Sequence, residues 1–449
     1  MQDKKSRITS WLENVHPVIF NTYAIIAAFS AYFAMYAFRK PFSVGKFDGV
    51  VDIFGMAMDY KVILIISQVL GYTLSKFLGI KVVSETKGSR RGITLLALIV
   101  FAELALLMFG FLPRPWGILC LFLNGLPLGM VWGMLFGFLE GRKTSELLGA
   151  GMSASYILAS GVVKSVGKNN INMGISEQWM PFATGMMFLP VFFIAVYLLT
   201  KLPKPNKEDV ALKVKRAPMN GSDRWEFFKT YSKGLIPLTF LYMLLTAFRD
   251  FRDNFAREIW DSLGFQGKAS IYTLSEIPII VIVLLSLALL FLIKDNKKAM
   301  RFIHYIMITG TVLIGVSTLA FQMEMIGPAT WMILVGLGLY LGYVPYGCVL
   351  FDRLIAAVGF VGTAGFMIYM TDAFGYLGSV GLMLFKTFGN PDISWLDFFI
   401  KLSYATSILC TSCFLVSYLY FEYKVSKVNT RTKHDQNSDQ DTDEPEVLA

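Results

Sequence analysis

Charge is what this sequence has least of. Asp, Glu, Lys and Arg make up 16% of 449 residues, where an average soluble domain carries about 25%. With 55% hydrophobic residues and a mean hydropathy of +0.55, that scarcity excludes a disordered chain, a collagen, a coiled coil and an ordinary soluble enzyme. Histidine is scarcer still. His16, His304 and His434 are far apart and form no H-E-x-x-H helix, so no metal site is expected. The four cysteines, Cys120, Cys348, Cys410 and Cys413, lie inside apolar stretches and imply no disulfide framework. The Cys410-x-x-Cys413 spacing reads as helix packing, because nothing around it resembles a thioredoxin unit. There is no G-x-S-x-G nucleophile elbow. The run from Gly161 to Lys168 mimics a phosphate-binding loop but is one residue too long, and Asn169 stands where Ser or Thr belongs. The short alternating segments of a lipid-facing barrel are missing too. No catalytic residue and no cofactor are expected.

What the chain has is apolar length. It contains 38 Phe, 22 Met and 38 Gly, a mixture suited to membrane helices whose small residues let backbones approach. Twelve apolar runs cover 17–39, 60–81, 92–112, 116–139, 147–166, 180–200, 234–256, 269–293, 302–321, 329–351, 355–386 and 397–423. Each is long enough to span a bilayer as a helix. The first lacks a cleavage site and is expected to stay as a span. A basic stretch, 202–233, divides them six and six, giving an N-terminal bundle (1–201), a linker, a C-terminal bundle (234–424) and a disordered polar tail (425–449). The expected fold class is therefore an all-α membrane protein, twelve transmembrane helices in two pseudo-symmetric six-helix bundles. The net charge of +9 sits in alternate loops. It is therefore the positive-inside signal of an inner (plasma) membrane protein with both termini cytoplasmic, and not a nucleic-acid footprint. Duplication is visible locally: Tyr32 and Ala37-Phe38-Arg39 in run one match Tyr242 and Ala247-Phe248-Arg249 in run seven.

Charges inside the runs are the informative residues, because an ionised side chain at a helix centre costs about 2.5–3.5 kcal/mol and needs a wet cavity or a partner. Tyr32, Tyr36 and Arg39 share a helical face, as do Tyr72 and Lys76 in run two, and Tyr242, Arg249 and Asp253 in run seven. These, with Arg252, are the candidate substrate-binding residues. Asp372, Glu276 and Asp253 are the candidate coupling or charge-balancing groups. Other readings compete. Arg39 at the membrane edge can snorkel to the interface, which is the expected fate of Lys164. Arg249 and Asp253, four residues apart, can neutralise each other, and Arg252 can pair with Asp250 or Asp253. Glu276 precedes Ile277-Pro278, a kink signal. Two arginines and a lysine converging from separate helices suit a phosphate or carboxylate dianion.

Tyr36-Ala-Phe-Arg-Lys-Pro-Phe42 resembles the end of helix one in the organophosphate:phosphate antiporters of the major facilitator superfamily. Gly71-Tyr-Thr-Leu-Ser-Lys-Phe77 is similar to that family's helix-two segment, and Ala373-Phe-Gly-Tyr-Leu-Gly378 to its helix eleven. The resemblance implies the major facilitator fold, Arg39 and Lys76 in a binding cavity, and a second arginine on helix seven for which Arg249 is the counterpart and Arg252 the alternative. Three departures stand out. No histidine lies between Ser153 and Ser160, Glu85 replaces an expected Asp, and two aspartates flank the run-seven arginines. The expected function is alternating-access transport of a small organic anion, a phosphorylated metabolite exchanged for inorganic phosphate, by a monomer with no partner beyond substrate and bilayer. A proton-coupled anion symporter and a non-transporting membrane sensor are the alternatives.

Overall fold

The computed structural model describes residues 6–53, 55–86, 88–142, 144–205, 209, 221–358, 364–389 and 392–440. Twelve long helices follow in order: α1 (Pro17–Met35), α2 (Tyr60–Glu85), α3 (Arg91–Phe111), α4 (Arg114–Phe136), α5 (Ser145–Asn172), α6 (Met180–Thr200), α7 (Gly221–Asn254), α8 (Glu276–Leu292), α9 (Asn296–Gln322), α10 (Pro328–Pro345), α11 (Ala364–Leu384) and α12 (Trp395–Gln440). Among the described residues, eleven spans are long and apolar enough to cross a membrane. The remaining helix, α11, has 21 residues, enough to do the same. The protein is a multi-pass, all-α membrane protein.

The two halves pack alike. In the first, α1 contacts α5 and α6, α3 contacts α4 and α6, and α2 contacts α4. Adding six to each label gives the second half: α7 with α11 and α12, α9 with α10 and α12, α8 with α10. The halves meet where α2 lies on α11 and α5 on α8, contacts that the same symmetry exchanges. Because α1 starts beside the end of α6 (Thr9 Oγ1 donates to Lys201 O, 3.0 Å) and α7 beside α12 (Tyr420 Oη donates to Thr230 O, 2.9 Å), one face of the molecule is a terminal end. The other is called the far end below.

Local departures from the sequence expectation have local causes. After α1 the chain tightens into 3₁₀ turns at Tyr36–Phe38 and Pro41–Val44 and then forms a small antiparallel hairpin, β1 (Val50–Ile53) with β2 (Met56–Asp59), turning at Gly55 (φ 79°). The run expected at 269–293 is broken. Ile271–Leu274 and α8 are separate helices, since Pro278 has no N–H for the Leu274 carbonyl. The run expected over 355–386 contains the end of a short helix, Phe351–Val358, and α11, and the stretch between them is outside the described residues. Helix α7 begins at Gly221, inside the expected linker. Helix α12 continues to Gln440, into the segment expected as a tail.

Glycine sets the tightest contacts. A Cβ on Gly125 of α4 would stand 2.2 Å from the Gln68 carbonyl oxygen of α2. Overpacking of this kind costs about 1–3 kcal/mol. Gly125→Ala should lower the thermal unfolding midpoint of the purified protein, whereas Gly381→Ala, with nothing within 4 Å of the added carbon, should leave it unchanged.

Candidate functional site

The seam between the halves is lined by charge and tyrosine. Tyr36, Arg39 and Lys40 reach it from the end of α1, Tyr156 and Ser160 from α5, Arg249, Asp250 and Asp253 from α7, and Tyr340 from α10. They close around a void of about 10 Å³, room for one water molecule. The 3₁₀ turn places Arg39 here and Pro41 prevents the helix from continuing. Arg39 is therefore buried, 3% exposed, and does not snorkel. Its guanidinium lies 3.9 Å from the centroid of the Tyr72 ring and 5.8 Å from that of Tyr376, whose rings are 4.8 Å apart. Among the described residues it makes no ion pair, and its Nε has no hydrogen-bond partner.

Arg249 differs. It donates to Asp250 Oδ1 (3.0 Å from NH2), to Tyr376 (3.4 Å) and to the Tyr343 hydroxyl, and Asp250 Oδ2 accepts from Ser379 at 3.0 Å. Arg252, one step round the helix, turns away from the void. It pairs with Glu276 Oε1 at 2.9 Å and donates to the Met332 carbonyl at 3.2 Å. That pair is packed inside the second half, so Arg249 and not Arg252 faces the seam, and Glu276 is occupied by Arg252.

Asp253 decides one competing reading and overturns one expectation. It does not neutralise Arg249. It crosses the seam to the first half, where Lys40, Lys164 (2.6 Å from Oδ1) and the Ser160 hydroxyl hold it. Lys164 is accordingly buried at 5% exposure and does not sit at the membrane edge. Lys76 meets Asp372 across the seam at 3.2 Å, and the other oxygen of Asp372 accepts from the Tyr242 hydroxyl at 2.7 Å. Tyr32 packs edge-on against Tyr36, 5.6 Å between centroids, behind the void wall. Among the described residues the cluster thus holds six basic side chains (Arg39, Lys40, Lys76, Lys164, Arg249, Arg252) and four carboxylates (Asp250, Asp253, Glu276, Asp372), with Arg39 alone not paired to one of them.

Several of these residues escaped the sequence reading. Tyr340 and Tyr343 stand three residues apart, and Tyr156 and Ser160 four. Both are one-face helical signals that the apolar surroundings concealed.

Further pairs tie the halves at the far end. Lys61 joins Glu258, and Arg257 joins Glu177 (3.1 Å) and the Val44 carbonyl (2.8 Å). Burial pushes the Glu177 carboxyl up, but the Lys46 and Phe47 N–H groups and the Arg257 guanidinium outweigh it and hold it below the usual carboxylate range. Towards the terminal end an apolar cleft of about 490 Å³ separates the halves, with Ile25, Leu147, Gly151, Leu284 and Phe291 among its walls.

A family model described as a family of unknown function (DUF5690) matches residues 41–424. The chain belongs to that family. No curated protein matches it in sequence. Solved structures do match in fold. A D-xylose–proton symporter shares 11% identity with a TM-score of 0.59, over 88% of this chain and 97% of that one. A POT family transporter solved with a thioalcohol-conjugated peptide shares 13%, TM-score 0.59, over 90% and 96%. The nucleoside transporter NupG shares 16%, TM-score 0.54, over 88% and 98%. The DUF5690 chain therefore has the major facilitator fold of these transporters.

The Arg252–Glu276 pair generates a test of its own. Removing one partner of a buried pair strands the other charge, at a cost of about 3–5 kcal/mol. Arg252→Gln should destabilise the protein by that order in thermal unfolding, and adding Glu276→Gln should recover most of the loss.

Proposed function

We propose that this protein is an alternating-access secondary transporter of a small organic anion, a phosphorylated metabolite exchanged for inorganic phosphate. It would act as a monomer in the plasma (inner) membrane with both termini in the cytoplasm. The observation that carries the reading is Arg39: a buried guanidinium with no carboxylate partner among the described residues, at the seam of the two bundles and in one void with Arg249. A cation taken out of water without a counter-charge is costly, and a bound anion relieves that cost in the conformation where it reaches both arginines. Tyr36, Tyr72 and Tyr376 offer hydroxyl donors and ring faces to the organic part. The resemblance of Tyr36–Phe42 and Gly71–Phe77 to organophosphate:phosphate antiporters supplies the substrate class.

The mechanism follows from where the pairs lie. Far-end closure rests on Lys61–Glu258, Arg257–Glu177 and the lysines around Asp253. An anion bridging Arg39 and Arg249 joins the halves at the level of the void. It thereby lowers the energy of the state in which both ends are shut, through which the carrier must pass. Empty, the carrier keeps the Arg39 charge without a carboxylate partner and crosses slowly, which makes exchange the faster mode.

The test is counterflow of radiolabelled phosphate in proteoliposomes, which also separates a carrier from a sensor. Wild-type protein should exchange phosphate. Arg39→Ala and Arg249→Ala should each reduce exchange by about 10²-fold or more, as expected for loss of about 3 kcal/mol of charge-assisted binding. Undiminished exchange by Arg39→Ala would overturn the assignment.

A further inference from the structure

The repeated Ala-Phe-Arg triplet has two different backbones. Ala247-Phe248-Arg249 lies inside α7, which runs on to Asn254, whereas Ala37-Phe38-Arg39 ends in the 3₁₀ turn after α1. Leaving the helix releases carbonyls. The Ser43 N–H goes to the Lys40 carbonyl at 3.1 Å and not to that of Arg39, four residues back, and Pro41 has no N–H to give. A buried carbonyl left without a donor is costly.

Two neutral amides meet that need. Asn124 of α4 donates from Nδ2 to the Phe38 carbonyl at 3.0 Å, and Gln68 of α2 donates from Nε2 to the Arg39 carbonyl at 3.1 Å. The amides are joined to each other, Gln68 Nε2 to Asn124 Oδ1 at 2.8 Å, and Asn124 Nδ2 also donates to the Ala102 carbonyl of α3 at 3.0 Å. Both side chains are buried. One pair of side chains thus ties α2, α3 and α4 to the two backbone units around Arg39, and all of these partners lie in the first half. The rest of the segment is drawn the other way. Lys40 reaches across the seam to Asn254 (2.9 Å) and Asp253, and the Val44 carbonyl accepts from Arg257.

We propose that Gln68 and Asn124 are positioning residues for anion binding, holding the Arg39 backbone in the turn that aims its guanidinium into the void beside Arg249. They touch no substrate and act through Arg39. A backbone free to shift at this point spreads the guanidinium over positions that do not share one anion with Arg249, so the anion binds more weakly. Because the amide hydrogen bonds are internal to the first half, they stay made when the far-end pairs part, and Arg39 meets the anion already aimed. Contacts between the halves set the rate of the conformational change, so affinity depends on the amide pair and the maximal rate does not. The inference rests on the anion-carrier reading and adds to it the groups that aim its first arginine.

The experiment uses the full chain in proteoliposomes with radiolabelled phosphate as probe. It reads the phosphate concentration at half-maximal counterflow, the maximal rate, and the thermal unfolding midpoint of the purified protein. Gln68→Met, which keeps the side-chain length and removes the amide, should raise the half-maximal concentration roughly five- to tenfold and leave the maximal rate within about twofold of wild type. In an Arg39→Ala background, assayed at higher phosphate, the same change should have no further effect; in an Arg249→Ala background it should keep its full effect. Asn170→Leu is the structural control. It removes a buried hydrogen bond to Thr184 (3.0 Å) between α5 and α6 of the same half, and should lower the midpoint without moving the half-maximal concentration. If Gln68→Met does not fold, Gln68→Ser, which leaves room for a water at the Arg39 carbonyl, replaces it and is read the same way. A half-maximal concentration unchanged by the Gln68 substitution, or raised by the same factor in the Arg39→Ala background, overturns the proposal. So does a loss confined to maximal rate and midpoint, the signature of a merely structural role. Absence of counterflow in wild type sinks the carrier reading itself, and this inference with it.

Discussion

Among the described residues, six basic side chains and four carboxylates are gathered at the seam of two apolar bundles and just behind it, and the structure is organised around that inequality. Moving an ion from water into such a setting costs several kcal/mol even after relaxation, so each charge must find a partner or a polar face. Arg252 finds Glu276, Arg249 finds Asp250, Lys76 finds Asp372, and Lys40 and Lys164 share Asp253. Arg39 is left with aromatic faces, an interaction worth about 2 kcal/mol when desolvated. That is enough to hold the guanidinium in place and too little to make it a settled ion pair.

Most of these partnerships cross between bundles, so the charges decide how firmly the halves adhere. At the far end they are joined by further pairs and by close backbone approach: a Cβ on Gly161 of α5 would stand 2.2 Å from the Tyr272 carbonyl oxygen. Towards the terminal end the walls are apolar and stand apart. The contact between the bundles is thus polar and tightly fitted at one end and gives way to an apolar cleft at the other.

Much of the fold was legible because membrane helices write themselves as length and hydropathy. Run boundaries for α3 and α6 fall within a residue or two of the helices. Misplacements came where the chain leaves that regime: the 3₁₀ turns and hairpin after α1, the break before Pro278, and the early start of α7. Of the site, Arg39, Tyr36, Tyr72 and Arg249 stood out because a charge and tyrosines on one helical face are rare in an apolar run. Lys164 was misread because depth in the membrane depends on where α5 ends, and it ends at Asn172, beyond the expected 166. The tyrosines of α10 were passed over because tyrosine is an ordinary residue of membrane helices until something charged faces it.

The sequence by itself determined the number of spans, their division into two related halves and the presence of buried charge, since each follows from local composition and from the cost of placing an ion in hydrocarbon. Only the tertiary structure decided which cation meets which carboxylate. Arg249 and Arg252 lie three residues apart and carry the same charge, yet one faces the other bundle and the other faces α8. A helix fixes the angle between its side chains, but which angle points at the seam is set by the packing of its neighbours.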